Sequence, residues 1–481
     1  MFPNFRPTMA VARRIIASLA GASAVAACQS FSPDFGLGVA RSVAEQELRK
    51  DIVVIRTPDD ESTVHARVQQ LLKRALTAET AVQVALLNNR GLQAAYNELG
   101  IAEAVRIRQS LPPNPAISIL RVSGSVETEI ERQIVGSILA LATLPARIEI
   151  ASDRFRQAQL LAALETLRVA AATRRAFYRA VAANQQVGLL AQADSAAGTA
   201  AQLAKRLGET GAMNKLDQAR QQAFHAEVTT QLAIAKQRAL SEQERLVRLL
   251  GLSGGHLAFA LPKTLPALPR HALMLPQIER QAMNRRIDLQ IARIELELLA
   301  KSFGLTKATR FINVLDAGYA DSITADKETG ERIRNRGFTV SLEIPIFDFG
   351  ETRLREAEQT YLQSVNRLAE MATNARSEAR DAYRSYRAAY DIASRYQREL
   401  LPLRKIISEE MMLRYGAMQV DVFSLLSDAR QRLATNAAAV EALRDFWLAS
   451  TSLAAAIVGG ASATGDSAAT AMAAPGDAAG H

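Results

Sequence analysis

The sequence has few of the residues on which enzymes and metal sites depend. Its 481 residues include a single cysteine, Cys28, so no disulfide bond can form within the chain. The five histidines are scattered without the spacing of metal ligands. Neither a phosphate-binding P-loop nor a Gly-x-Ser-x-Gly motif is present. We therefore predict that the protein is not an enzyme and has no catalytic residue, metal site or cofactor.

Long apolar runs and clustered basic residues are lacking as well. Beyond the N-terminal segment, no stretch of about 18 residues is apolar and free of charge, which argues against a transmembrane helix. The formal net charge is +9, but the basic residues are dispersed and are not interleaved with aromatic residues. We expect no nucleic-acid partner.

Helix-forming residues dominate the composition. Hydrophobic residues make up 48% of the chain, whereas aromatic residues make up only 5%. Alanine, leucine, arginine, glutamine and glutamate are abundant, and all of them favour long helices. The fold is therefore predicted to be mainly α-helical with a small β part.

The first 27 residues are predicted to be a signal peptide. Three arginines precede a short apolar run at 15–24, and the small residues before Cys28 look like a bacterial lipoprotein cleavage site. On this interpretation Cys28 becomes the first residue, carries acyl chains such as palmitate, and anchors a tether at 28–70 in outer-membrane lipid. The absence of Asp after the cysteine resembles sorting to the outer membrane of Gram-negative bacteria. A plain secretory signal with an incidental cysteine is the alternative.

The remaining chain is predicted to contain two similar halves. The first repeat, residues 71–250, consists of a helix at 71–109, strands at 116–123 and 130–144, a long helix at 146–207 and a return helix at 214–250. The long helix would measure about 90 Å at about 1.5 Å per residue. A Gly- and Pro-rich linker follows at 251–276.

The second repeat, residues 277–458, has the same predicted order. Its elements are a helix ending near 305, strands at 310–320 and 336–344 around a charged loop at 321–334, a long helix from 351 to 416 interrupted at Pro402, and a last helix at 421–457. Each long helix is followed by a Gly-Ala-Met triplet, at 211–213 and 416–418. We interpret this pattern as an internal duplication. Residues 459–481 are predicted to be a disordered tail.

One strand shows the clearest alternation in the chain. Phe338, Val340 and Leu342 alternate with the polar residues Thr339, Ser341 and Glu343, and Pro345 ends the pattern. A strand with one apolar and one polar face that leads into a long helix fits a transmembrane barrel. Thr339, Ser341 and Glu343 would then face the lumen.

Four predicted strands cannot close a barrel, because the smallest membrane barrels have about eight. Open edges in lipid would leave backbone groups without hydrogen bonds. Two chains would give a barrel filled by side chains, and three would give twelve strands and an open lumen. The polar row favours a trimer, and the helical spacing suits coiled-coil-like pairing. A water-soluble helical bundle with two incidental hairpins is the alternative.

The chain resembles the TolC-type outer-membrane efflux proteins, specifically their lipid-anchored OprM-like members. The resemblance covers residues 71–457, and the segments 81–89, 285–290 and 341–350 carry it. It implies a homotrimer with a twelve-stranded barrel and a periplasmic α-helical tunnel. It also implies passive export of substrates that an inner-membrane pump and a periplasmic adaptor deliver.

The resemblance also places a docking site and a gate where the long and return helices meet. The candidate docking residues are Arg206, Gly208, Glu209, Gly211, Arg414, Tyr415 and Gly416. Asp217 and Asp421 lie just beyond these turns and are the candidate gate, because an inward carboxylate ring would select cations. The alternative is that both acids simply favour helix N-termini. Met418 stands where the family often has glycine.

A protein of another class could share part of this pattern. A periplasmic adaptor or a helical scaffold lipoprotein would bind partners and conduct nothing. An adaptor would carry one helical hairpin and several short all-β modules, whereas this chain has two long helical hairpins. The exported substrate, whether a drug, a metal ion or a polypeptide, is not indicated by the sequence.

Overall fold

The structure is a computed structural model that describes residues 31–253 and 259–459. The predicted signal peptide, Cys28 and residues 460–481 of the predicted tail lie outside the described residues. Helix, strand, strand, long helix and return helix follow one another in both halves of the chain. The mainly helical fold with a small sheet is as predicted.

The first half of the chain contains α1 Gly38–Val43, α2 Pro58–Leu72, α3 Ala78–Asn88, α4 Arg90–Ser110, β1 Ala116–Ser123, β2 Glu127–Ser137, α5 Ile138–Ala142, α6 Leu144–Glu209 and α7 Lys215–Leu250. The second half contains α8 Ile278–Arg285, α9 Ile287–Ala308, β3 Val314–Asp326, β4 Arg332–Glu343, α10 Glu351–Arg395, α11 Leu401–Gly416 and α12 Val422–Val458. Two π-helical segments, Ala44–Leu48 and Tyr396–Leu400, follow α1 and α10.

The chain divides into two compact units. Of the described residues, the sheet unit comprises 31–39, Asn97–Gln159 and Ala292–Arg367, and it holds all four strands. The described residues of the helical unit are Ala40–Tyr96, 160–253, 259–291 and 368–459. The two units are described separately below.

The sheet unit contains one antiparallel sheet in the order β1-β2-β3-β4. Its central pair, β2 and β3, comes from different halves of the chain, with Glu127 opposite Asp326 and Ser137 opposite Asp316. Strands β1 and β4 are the outer strands. The two predicted hairpins are therefore parts of one continuous sheet.

Several strand boundaries differ from the prediction. Strand β2 ends at Ser137 rather than 144, because the Ser137 hydroxyl accepts a hydrogen bond from the Ala140 amide and starts the short helix α5. Pro145 does not end the strand but lies in the first turn of α6, where proline needs no hydrogen-bond partner for its nitrogen. The predicted loop at 321–334 is largely strand, since β3 continues to Asp326 and β4 begins at Arg332.

The helical unit corrects the N-terminal prediction. Helices α1 and α2 lie where a tether at 28–70 was expected, and α2 begins with a capping box between Thr57 and Asp60. The single helix predicted at 71–109 is two helices. Asn89 separates them with an extended backbone, and its side chain donates a hydrogen bond to the Leu249 carbonyl. Competition of this kind between an Asn side chain and the helix backbone is invisible to hydrophobic periodicity.

Aromatic residues pack the core of the helical unit. Phe446 on α12 lies 5.5 Å from Tyr386 and 5.8 Å from Tyr390 on α10, measured between ring centroids. Ala282 on α8 and Ala379 on α10 are fully buried in the same cluster. The π-helical segment Tyr396–Leu400 directly precedes Pro402, whose missing amide cannot continue regular α-helical bonding.

Membrane-crossing helices and grouped metal ligands are both absent from residues 31–253 and 259–459. No helix in these ranges combines the length and apolar character needed to cross a bilayer. No three His, Cys, Asp or Glu side chains in these ranges are grouped to hold a metal ion.

Gly350, just before α10, is expected to be intolerant of any side chain. Its φ is +70°, and a Cβ atom there would lie 2.2 Å from the Arg310 carbonyl oxygen. We expect Gly350→Ala to lower the free energy of unfolding by about 1–3 kcal/mol or more. Gly304→Ala is the matched control, because no atom lies within 4 Å of the added Cβ and the site is helical. Thermal unfolding in detergent, followed by circular dichroism, should separate the two variants, and equal melting temperatures would contradict the prediction.

Candidate functional site

The sheet has one polar face that includes the predicted lumen residues. Directly paired residues of neighbouring strands share a face. Thr339 is paired with Gly318 and Ser341 with Asp316, and the Gln133 amide donates a 3.4 Å hydrogen bond to the Thr339 hydroxyl. This face is crowded, since a Cβ on Gly318 would lie 2.6 Å from the Thr339 oxygen. Crowding of this kind is expected on the concave side of a curved sheet.

A column of acids on the same face was missed by the sequence analysis. Glu127, Glu129 and Glu131 alternate along β2 and share the face of Gln133. The second strand is predicted to begin at 130, so only Glu131 of the three falls within a predicted strand. The alternation of these glutamates with Thr128, Ile130 and Arg132 is the period-two pattern that could have identified them.

The opposite face of the sheet is apolar near the end at which the strands connect to helices. Phe338 is 86% exposed, Val340 is 70% exposed and Ile119 is 71% exposed in the single chain. Tyr319 pairs with Phe338, and their ring centroids are 5.7 Å apart. Large apolar side chains exposed over several adjacent strands indicate a surface that is covered by another apolar medium.

A different candidate site lies in the helical unit, at the turn between α6 and α7. Gly211 has φ +76° and ends α6, and the amide of Ala212 donates a 2.8 Å hydrogen bond to the Leu207 carbonyl. Asn214 then caps α7, because its side-chain oxygen accepts a 2.8 Å hydrogen bond from the Asp217 amide. Helix α6 thus ends at a residue in the left-handed backbone conformation, and the N-cap of α7 follows.

The turn between α11 and α12 repeats that geometry with other residues. Met418 has φ +56°, and the amide of Gln419 donates a 2.8 Å hydrogen bond to the Arg414 carbonyl. Asp421 caps α12 by accepting a 2.8 Å hydrogen bond from the Ser424 amide. The structural equivalent of Gly211 is therefore Met418 and not Gly416.

This equivalence corrects the comparison of the two Gly-Ala-Met triplets. Their alignment by sequence is offset by two residues from the alignment by backbone geometry. Asn214 corresponds to Asp421, so the two candidate gate acids, Asp217 and Asp421, occupy different positions of their turns. The structure nevertheless places both along one surface depression, together with Tyr415 and Phe423.

The two acids are held by different contacts. Asp217 accepts hydrogen bonds from Asn214 and from Arg220, at 2.7 and 3.2 Å. Hydrogen bonds from Ser424 lower the pKa of Asp421, so this carboxylate stays charged well into the acidic range. Both acids thus stabilise helix starts, which was the alternative to a gating role. Capping does not prevent either carboxylate from facing a passage.

The predicted docking residues lie at these two turns and are largely exposed. Arg206, Glu209 and Gly211 are exposed at the first turn, and Arg414, Tyr415 and Gly416 at the second, whereas Gly208 is half-buried. Large apolar side chains are exposed beside them, namely Leu203, Leu216, Met412, Leu413 and Phe423. Exposed apolar residues close to charged ones are typical of a protein-binding surface.

Comparisons with known proteins agree with this geometry. Residues 279–408 match the family model described as outer membrane efflux protein. A curated relative, the cobalt-zinc-cadmium resistance protein CzcC of Cupriavidus metallidurans, is 24% identical over 296 residues. That match covers 59% of this chain and 66% of the relative, so it spans just under two thirds of the relative's length.

Solved structures show the same fold. A crystal structure of CusC has a TM-score of 0.65 at 19% identity, covering 79% of this chain and 91% of the CusC chain. The CmeC outer membrane channel of Campylobacter jejuni has a TM-score of 0.68 at 15% identity, covering 80% of this chain and 86% of that one. The described part of the chain therefore has the fold of the TolC-type channels. Over residues 279–408 the chain is similar to the outer membrane efflux protein family.

The two tip turns should respond differently to matched glycine substitutions. Gly211→Ala places a side chain at positive φ and should destabilise the first turn by about 1–2 kcal/mol. Gly416→Ala adds a Cβ that meets no atom within 4 Å at a helical position and should be tolerated. Hydrogen exchange over 207–214 and 414–421 measures each turn directly. Faster exchange at the substituted turn in both variants would contradict this prediction. It would indicate that Gly211 and Gly416 are equivalent, as the Gly-Ala-Met triplets suggest.

Proposed function

We propose that three copies of this chain close into one outer-membrane channel that lets substrates pass without chemistry of its own. The observation that carries the proposal is a four-stranded sheet with two outer strands and two chemically distinct faces. In a bilayer every backbone group needs a protein partner, so β1 of one chain would pair with β4 of the next. Three chains supply twelve strands, enough for a wet lumen.

The faces of the sheet support this arrangement. Thr339, Ser341 and Glu343 would line the lumen together with the β2 glutamates, while Phe338 and Val340 would contact lipid. An eight-stranded dimer would be filled by its own side chains, and charged residues there would lack water. The charged polar face therefore favours three chains over two.

The remaining parts of the proposal concern partners and attachment. The exposed turns around Gly211 and Tyr415 would dock a periplasmic adaptor, which in turn would receive substrate from an inner-membrane pump. Asp217 and Asp421 would line the gate at the same place. Cys28 would carry the acyl chains that anchor the mature chain. A non-conducting adaptor or scaffold lipoprotein is disfavoured by the exposed apolar face of the sheet.

Cations are the cargo class that the lumen face favours. Glu127, Glu129 and Glu131 add three carboxylates per chain to a face that holds few basic residues. Rings of carboxylates select cations. The relative CzcC is named for cobalt, zinc and cadmium resistance, which fits the same class of cargo. We infer that this channel passes cationic substrates.

The oligomeric state tests the closed barrel. We expect the mature protein in detergent to have a native mass three times that of its chain. Single cysteine substitutions along β4, each combined with Ser118→Cys on β1, should give crosslinked dimers and trimers but nothing larger. Gln133→Cys with Ala320→Cys is the matched control, because these residues are paired within one chain and should crosslink only internally. A monomer, or a dimer that is stable without detergent, would refute the barrel.

Charge selectivity tests the lumen assignment. Replacing the three β2 glutamates with glutamine should reduce the preference for K⁺ over Cl⁻ in planar bilayers under a KCl gradient, because it removes fixed negative charge from the lumen. Replacing the same residues with aspartate keeps the charge and should preserve the preference. An unchanged reversal potential in the glutamine variant would exclude a lumen position for this column.

A further inference from the structure

On strands β1, β2 and β4 of the apolar face, arginines follow the apolar residues toward the turns. Along β4 the outward residues are Leu342, Val340 and Phe338, followed by Arg336 and Arg334 toward the β3–β4 turn. Strands β1 and β2 change in the same direction. On β1, Ile117 and Ile119 precede Arg121. Strand β2 runs the other way, so Ile134, which follows Arg132, is the residue nearer the end of the sheet that continues into helices.

The register places these arginines in two adjacent rows. Arg132 pairs with Asp321, which pairs with Arg336, in the first row. In the second row, Arg121 pairs with Ile130 and Arg334 with Ile323, and Ile130 pairs with Ile323. We call Arg121, Arg132, Arg334 and Arg336 the arginine cluster. Arg334 and Arg336 lie within 4 Å of the Asp321 carboxylate, and Arg132 is paired with Asp321 across the ladder. Arg121 lies one row further, on the outer strand β1.

The single acid cannot neutralise this cluster. Arg334 donates two hydrogen bonds to the Asp321 carboxylate, at 2.7 and 2.8 Å, while Arg336 lies 3.8 Å from it. Asp321 is only 6% exposed, whereas all four arginines are exposed. The side chain of Arg121 has no ion pair with any residue in the described ranges. A net positive surface remains directly beside exposed aromatic and aliphatic side chains.

This combination specifies the chemistry of an occupant. Guanidinium groups bind phosphate through paired hydrogen bonds, more specifically than a single amine does. The neighbouring band of Ile119, Phe338 and Val340 would contact acyl chains. A ligand that satisfies both surfaces carries phosphate groups at the junction of a polar head and several apolar chains.

We propose that the arginine cluster binds the phosphate groups of a phosphorylated glycolipid in the outer leaflet of the outer membrane. The proposal rests on the proposed function, which puts the sheet in that membrane. The cluster lies toward the turns, opposite the strand ends that continue into helices, and therefore at the outer leaflet. Closure of the barrel would pair β1, which carries Arg121, with β4 of the next chain, which carries Arg334 and Arg336. Each complete site would then include residues of two chains.

Native mass spectrometry of the detergent-solubilised protein with bisphosphorylated lipid A tests the site. The test variant is Arg121→Gln with Arg132→Gln and Arg336→Gln, which leaves the Arg334–Asp321 pair intact. We expect its affinity for lipid A to fall about tenfold or more, because charged hydrogen bonds to phosphate are lost. Lipid A without phosphates should bind the wild type and the variant equally weakly.

The matched control is Arg154→Gln with Arg156→Gln and Arg367→Gln. These arginines are exposed on helices of the sheet unit, so the control removes the same charge elsewhere. It should retain lipid A binding, and millimolar inorganic phosphate should not displace the lipid, because phosphate alone cannot use the apolar band. Arg→Lys substitutions in the cluster should restore only part of the affinity, because lysine lacks the guanidinium fork.

Three results would overturn the lipid site. They are equal binding by wild type and cluster variant, equal loss in the control variant, or tight binding of the dephosphorylated lipid to the wild type. The same spectra report the oligomeric state. A trimer that conducts ions but ignores lipid A would refute the lipid site alone. A monomer would refute the proposed function, and the two-chain site with it.

Discussion

The need to pair the backbone groups at the edges of one small sheet governs the rest of this protein. The sheet has four strands, and β1 and β4 leave their outer edges without partners in a single chain. Each unpaired group would cost several kcal/mol in hydrocarbon. A chain whose open sheet enters a membrane must therefore share that sheet with other copies. The helices do not impose this requirement, because their backbone bonds lie within each helix.

The segregation of side chains follows from the same sheet. Because alternate residues of a strand point to opposite faces, one register decides which chemistry each side of the sheet meets. Glu129 and Thr339 share the crowded face, whereas Phe338 and Arg336 share the other. A slip by one residue would exchange the acids and the aromatic residues. The Tyr319–Phe338 contact and the ion pairs of Asp321 both oppose such a slip.

Sequence patterns predicted the elements whose residues alternate strongly and missed those governed by single polar side chains. Strand β4 and the long helices are predicted because their apolar residues recur regularly over most of their length. The break at Asn89 was missed, because it depends on a hydrogen bond to Leu249. The tip turns were paired incorrectly, because identical Gly-Ala-Met triplets hid the equivalence of Gly211 and Met418. Met418 adopts a positive φ, which non-glycine residues rarely do. Neither its residue type nor the apolar periodicity therefore indicates that it ends the helix.

The β2–β3 pairing has a consequence for how the chain acquires its structure. Strand β2 ends at Ser137, and its partner β3 begins at Val314, so the central ladder joins segments separated by all of residues 138–313. Contacts this distant in sequence form slowly, whereas helices form from local contacts. During synthesis the edge of β2 that pairs with β3 therefore stays unpaired until the second half of the chain has been made. An unpaired strand edge is prone to aggregation. A factor that covers this free strand edge would act most usefully in that interval.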